Sequence, residues 1–92
     1  MHEELISTFL NKLTGYNDEE MAKIKLAAQF SNEKHINQKR KSGEPYIIHP
    51  LAVAETLALR LNMDADTICA GLLHDVIEDT DTTEETIEQM FG

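Results

Sequence analysis

The 92-residue chain has one cysteine and no tryptophan, and after Arg60 it has no lysine or arginine at all. A lone cysteine excludes an internal disulfide framework. Cys69 lies in the apolar run Ile68-Cys69-Ala70-Gly71-Leu72-Leu73, where a thiol acts as a small buried hydrophobe. The cytoplasm is the expected compartment. No apolar run approaches the roughly 20 residues needed to span a bilayer, so no membrane contact is expected. The N-terminus, Met1-His2-Glu3-Glu4, lacks the basic start and apolar core of a signal peptide. No segment alternates as a strand does, and there is no internal repeat or low-complexity tract.

What is present fits one small, all-α domain over residues 1–92. An apolar fraction of 41% suits a globular protein with a modest core. The net charge of −9 argues against nucleic-acid binding. Its distribution is more informative. Half of the eight basic residues fall between positions 34 and 41, while nine of the seventeen acids lie from Asp64 onward. One compact basic patch beside one acidic arm suits a phosphate-bearing ligand held between Lys/Arg and a metal on carboxylates.

About five helices are expected. Leu5, Ile6, Phe9, Leu10 and Leu13 form a helical stripe, closed by Gly15. Asn17 and Glu20 form a capping-box pattern for a second helix, which buries Met21, Ile24, Ala27, Ala28 and Phe30 and runs to about His35. Ser42-Gly43-Glu44-Pro45 is a turn, and the basic loop from Lys39 to Tyr46 that contains it is expected to contact a ligand and to border any metal site. Pro50 is expected at the first position of a third helix, with His49 near its cap and a stripe of Leu51, Val53, Ala54, Leu57, Ala58 and Leu61. Asp64 can cap a fourth helix. Gly71 inside that helix costs about 1 kcal/mol relative to alanine; close packing against the His49 helix and a tolerated defect are the two explanations. Thr82 and Glu85 suggest a capping box for a fifth helix carrying Ile87, Met90 and Phe91.

Chemistry concentrates in His74-Asp75-Val76-Ile77-Glu78-Asp79, which puts an imidazole and three carboxylates into an otherwise apolar helical run. Asp75, Glu78 and Asp79 stand at i, i+3 and i+4 and share one face. Such a face repels itself unless a cation sits over it. His49 is the best upstream partner, because two histidines and a carboxylate are a usual donor set for Mn, Fe or Zn. Three protein ligands with open positions suit a catalytic metal. His35 and His2 fit that role less well.

The stretch Lys39-Arg40-Lys41-Ser42-Gly43-Glu44-Pro45-Tyr46-Ile47-Ile48-His49-Pro50, followed by Gly71-Leu72-Leu73-His74-Asp75-Val76-Ile77-Glu78-Asp79-Thr80, resembles the hydrolase domain of the Rel/Spo alarmone enzymes, members of the HD phosphohydrolase superfamily. The resemblance implies an all-helical, HD-like bundle. It implies manganese-dependent removal of the 3′-pyrophosphate from guanosine tetra- and pentaphosphate. It also implies His49, His74 and Asp75 as metal ligands, Glu78 and Asp79 as the acidic pair handling the attacking water, and Arg40, Lys41 and Ser42 as nucleotide contacts. The family uses a further aspartate ligand downstream of the HD motif. An N-terminal piece of a longer hydrolase domain is therefore expected, weakly active or inactive alone, with exposed apolar faces that favour self-association. The alternatives are an HD phosphohydrolase for another nucleotide, a helical interaction module without catalysis, and, less favoured, a non-haem iron oxygenase.

Overall fold

The structure, a computed structural model, describes residues 2–36, 43–80 and 82–91; the side chain of Asp79 is also outside the description. Five helices account for the fold: α1 Glu3–Asn11, α2 Asp18–Lys34, α3 Ile48–Glu55, α4 Ala65–Asp79 and α5 Glu84–Phe91. A π-helical turn, Thr56–Arg60, extends α3. No strand occurs among the described residues, so the all-α expectation holds. No described helix is long and apolar enough to cross a membrane.

The α2 start follows its sequence signal. Asn17 Oδ1 accepts the Glu20 N–H at 2.8 Å, and Glu20 Oε1 accepts the Asn17 N–H at 3.0 Å, so two otherwise unpaired helix-end donors are satisfied reciprocally. α4 begins similarly, with Asp64 Oδ1 accepting the Thr67 N–H at 3.0 Å. The Thr67 side chain and then its backbone N–H hold the Asp64 carboxyl below its ordinary pKa. α2 and α4 pack through Ile24, Ala27, Ala28, Ile68, Leu72 and Val76, all at most 1% exposed. α1 adds Ile6 and Phe9, and α3 adds Leu51 and Ala54. Cys69 sits in this core as a free thiol, and burial pushes its pKa up. α5 buries no residue fully and rests on the core through Ile87 and Phe91.

Four local expectations need correction. α1 ends at Asn11 with Lys12 as its cap, so Gly15 does not close it. α3 starts at Ile48, so His49 and Pro50 are its second and third residues. Pro50 is tolerated there because first-turn N–H groups have no helical acceptor anyway. The stripe through Leu61 fails at its end, where Leu61 is 54% exposed. The Leu61 N–H reaches back five residues to the Thr56 carbonyl, Asn62 turns left-handed at φ 51°, and the Met63 N–H closes on the Leu57 carbonyl at 2.9 Å. The helix therefore stops as a widened, capped turn. Finally, Thr83 rather than Thr82 caps α5, accepting the Thr86 N–H at 3.2 Å. Thr82 is buried, its hydroxyl 2.9 Å from that of Thr80.

Candidate metal centre

The α3–α4 pairing positions the site. A Cβ built on Gly71 would lie 2.7 Å from Leu57 Cδ1 and 3.5 Å from Val53 Cγ1. The missing side chain thus lets α4 approach α3 closely, as the sequence suggested. One turn further along α4 is Asp75; one turn back along α3 from Val53 is His49. The antiparallel register that seats Gly71 against Val53 therefore brings Asp75 to His49. His74 precedes Asp75 on α4, on the flank of the same face.

The Asp75 carboxylate is the centre of the arrangement. His49 Nε2 lies 3.6 Å from its Oδ2, and His74 Nε2 lies 3.2 Å from its Oδ1. The Asp75 side chain is 14% exposed, against 37% for His49 and 56% for His74. A half-buried carboxylate thus sits between two imidazoles that reach solvent. Glu78, one turn on, is exposed. No basic residue occupies the last turn of α4, so these acids crowd the negative end of the helix dipole with nothing on the helix to offset them.

Atoms bound to one ion at about 2.1 Å stand roughly 3.0–3.4 Å apart at right or tetrahedral angles. The His74–Asp75 spacing falls in that range and the His49–Asp75 spacing lies just beyond it. The donor set, two imidazole nitrogens and a carboxylate, fits a divalent transition metal. The histidines address different oxygens of Asp75, and among the described residues no three His, Cys, Asp or Glu groups are placed to hold one metal ion together. The arrangement is a pair of imidazole–carboxylate contacts whose donor chemistry, though not its present spacing, suits a divalent ion.

Two further residues meet here. The Tyr46 hydroxyl donates to Asp75 Oδ2 at 3.0 Å. The His35 ring, 2% exposed, stacks on Tyr46 with centroids 4.2 Å apart. Sequence reasoning reaches Tyr46 only as the end of the basic loop expected to border this site, with no role of its own, and sets His35 aside as part of a basic segment. The loop reading marks the place of Tyr46 but not its contact with Asp75, while His35 arrives through tertiary packing that no local pattern encodes. His2 belongs to the start of α1, its carbonyl accepting the Leu5 and Ile6 N–H groups. Arg40, Lys41 and Ser42 lie outside the described residues, as does the Asp79 side chain.

A family model described as an HD domain matches residues 27–92. The chain is 55% identical over 83 residues to a guanosine-3′,5′-bis(diphosphate) 3′-pyrophosphohydrolase of Aquifex aeolicus, covering 90% of this chain and 12% of that protein. It is 43% identical over 89 residues to the bifunctional (p)ppGpp synthase/hydrolase SpoT of Escherichia coli, covering 97% of this chain and 12% of that protein. A GTP pyrophosphokinase of Myxococcus xanthus is 49% identical over 75 residues, 82% of this chain and 10% of that protein. The chain therefore spans about 10–12% of the length of these relatives.

Proposed function

The chain belongs to the HD domain family, and from that premise we propose that it supplies part of the hydrolase site of a guanosine tetra- and pentaphosphate 3′-pyrophosphohydrolase. The supporting observation is the meeting of His49 and His74 at the Asp75 carboxylate, 3.6 and 3.2 Å away. In this reading these three residues hold a divalent ion, with Mn²⁺ the expected metal. Such an ion supplies Lewis acidity toward a phosphoryl oxygen and a lowered pKa for water.

The protein's own groups do the rest. Glu78 faces solvent one turn from Asp75, where its carboxylate can orient the attacking water and take its proton. Asp79 shares that face by helical spacing. Water adds to the phosphorus attached to the ribose 3′ oxygen, the P–O3′ bond breaks, and the proton passes to the ribose oxygen. Arg40 and Lys41 offset phosphate charge, and the planar guanidinium of Arg40 suits stacking on a base. Ser42, next in sequence, adds a hydroxyl to this set. The lone buried Cys69 fits a cytoplasmic setting. The exposed Leu59 and Leu61 offer apolar surface for self-association of the chain.

A chimera tests this reading. These 92 residues replace the matching segment of the Aquifex aeolicus relative, and pyrophosphate release from guanosine tetraphosphate is measured beside a panel of other nucleotides. The expected result is Mn²⁺-dependent release that His74→Ala abolishes, with little release by the 92 residues alone. A folded chimera that hydrolyses a different nucleotide, or none, would overturn the assignment.

A further inference from the structure

Tyr46 has no part in the mechanism above, yet it touches two of the three candidate ligands, Asp75 and His49. Its hydroxyl donates to Asp75 Oδ2 at 3.0 Å, and its ring meets the His49 ring edge-on, centroids 6.4 Å apart and planes at 76°. Behind it lies His35, stacked at 4.2 Å with planes 22° apart. One phenol therefore contacts the carboxylate on α4 and the imidazole on α3, and rests on the buried C-terminal cap of α2.

The local chain holds it there. Gly43 takes φ +87°, a conformation that disfavours side chains. The Ile48 N–H bonds to the Pro45 carbonyl and the His49 N–H to the Tyr46 carbonyl, and Ile47, 1% exposed, pins the turn into the core. The other tyrosine is a useful contrast. Tyr16 donates to a backbone carbonyl, that of Met63, at 2.7 Å, which staples a connection. Tyr46 spends its proton on an ionisable side chain instead.

An aspartate carboxylate turns in a broad, two-fold torsional well. Oδ1 of Asp75 faces His74 and Oδ2 faces His49, so the plane of the carboxylate decides which donors can act together. A phenol bonded to one oxygen fixes that plane and uses only one of about four acceptor sites. We infer that Tyr46 is a positioning residue for divalent-cation binding: it orients the Asp75 carboxylate and backs the His49 ring, with His35 as the wall behind it. The inference rests on the metal reading above.

Tyr46→Phe removes the donor and keeps the ring and the stack. Calorimetric Mn²⁺ titration of the 92-residue chain should show affinity about 10- to 100-fold weaker than the parent's, with helicity and melting temperature close to the parent's. A metal-free readout is also available. The chain has no tryptophan and two tyrosines, so in a Tyr16→Phe background Tyr46 is the sole tyrosine emitter. A carboxylate accepting its proton quenches that emission, and Asp75→Asn should raise it. Parent-like Mn²⁺ affinity in Tyr46→Phe, where His74→Ala abolishes binding, would overturn the positioning role and leave the metal site standing. No Mn²⁺ binding by the parent would overturn both, whatever the emission shows. Emission unchanged by Asp75→Asn would refute the bond itself.

Discussion

At its N-terminal end α4 starts with Asp64, bonded to the Thr67 N–H, and Asp66, paired with Lys23 at 2.6 Å. At its C-terminal end it carries Asp75, Glu78 and Asp79 with no basic residue in the last turn. Acids at a helix N-terminus complement the dipole; the same acids at the C-terminus oppose it, by about 0.3–1 kcal/mol each at an exposed position. One helix thus carries two kinds of carboxylate. Those at its start cap and pair, while at its end Asp75 meets two imidazoles and Glu78 stands exposed, both at the negative end of the dipole. The difference teaches that acid content alone identifies nothing; position on the helix and the residues opposite separate a cap from a candidate ligand.

Substitutions at the two ends should separate stability from metal binding, beginning with the largest effect. Ile68→Ala opens a cavity in the buried half of α4, where Ile68 is fully buried. It should lower unfolding free energy by about 2–5 kcal/mol in urea titration, leaving Mn²⁺ affinity of the folded population unchanged. Asp75→Ala should do the opposite in the chimera. Hydrolysis should fall by more than about 100-fold, beyond the range expected for a partner that merely supports a ligand, while the chimera stays folded by circular dichroism.

Glu78→Gln sharpens the contrast further. Removing an exposed acid from the negative helix end should raise stability by about 0.3–1 kcal/mol while slowing hydrolysis. If the same change destabilised the chain, Glu78 would belong to the structural set. The smallest effect is expected at Asp64. Its folded-state pKa lies below the ordinary value of 3.8, chiefly because the Thr67 side chain and backbone bond to it. A depressed carboxyl pKa gives stability that is present above the unfolded value and lost as pH falls through the folded one. Melting temperature should therefore decline below about pH 4, and Asp64→Ala should flatten part of that decline and lower the neutral-pH melting temperature by a few degrees.

Much of the fold is legible in the sequence because its signals are local. The Asn17/Glu20 box and the Asp64 cap form as their spacing implies, and Gly71 marks the close approach to α3. The misreadings share a cause. The start of α3 depends on Ile47 entering the core, and the widened turn at Thr56–Arg60 depends on how the chain closes through Asn62 and Met63. Thr82 is drawn inward beside Thr80, which passes the cap to Thr83. At the site, the His-Asp pair and its upstream histidine announce themselves by residue type. Tyr46 and His35 do not, because a phenol that donates to a carboxylate 29 positions away, on a stack with a helix-end histidine, leaves no periodic trace.

Thermal unfolding of the 92-residue chain with and without Mn²⁺, run beside Asp75→Asn, tests the central claim most directly. Binding to the folded state alone stabilises by about 2.7 kcal/mol when free metal is 100 times the dissociation constant. The parent's melting temperature should climb with Mn²⁺ concentration, while Asp75→Asn, melting near the parent without metal, should respond little. Equal responses in the two proteins would mean that Mn²⁺ binds elsewhere and that the meeting of His49, His74 and Asp75 is not a metal centre.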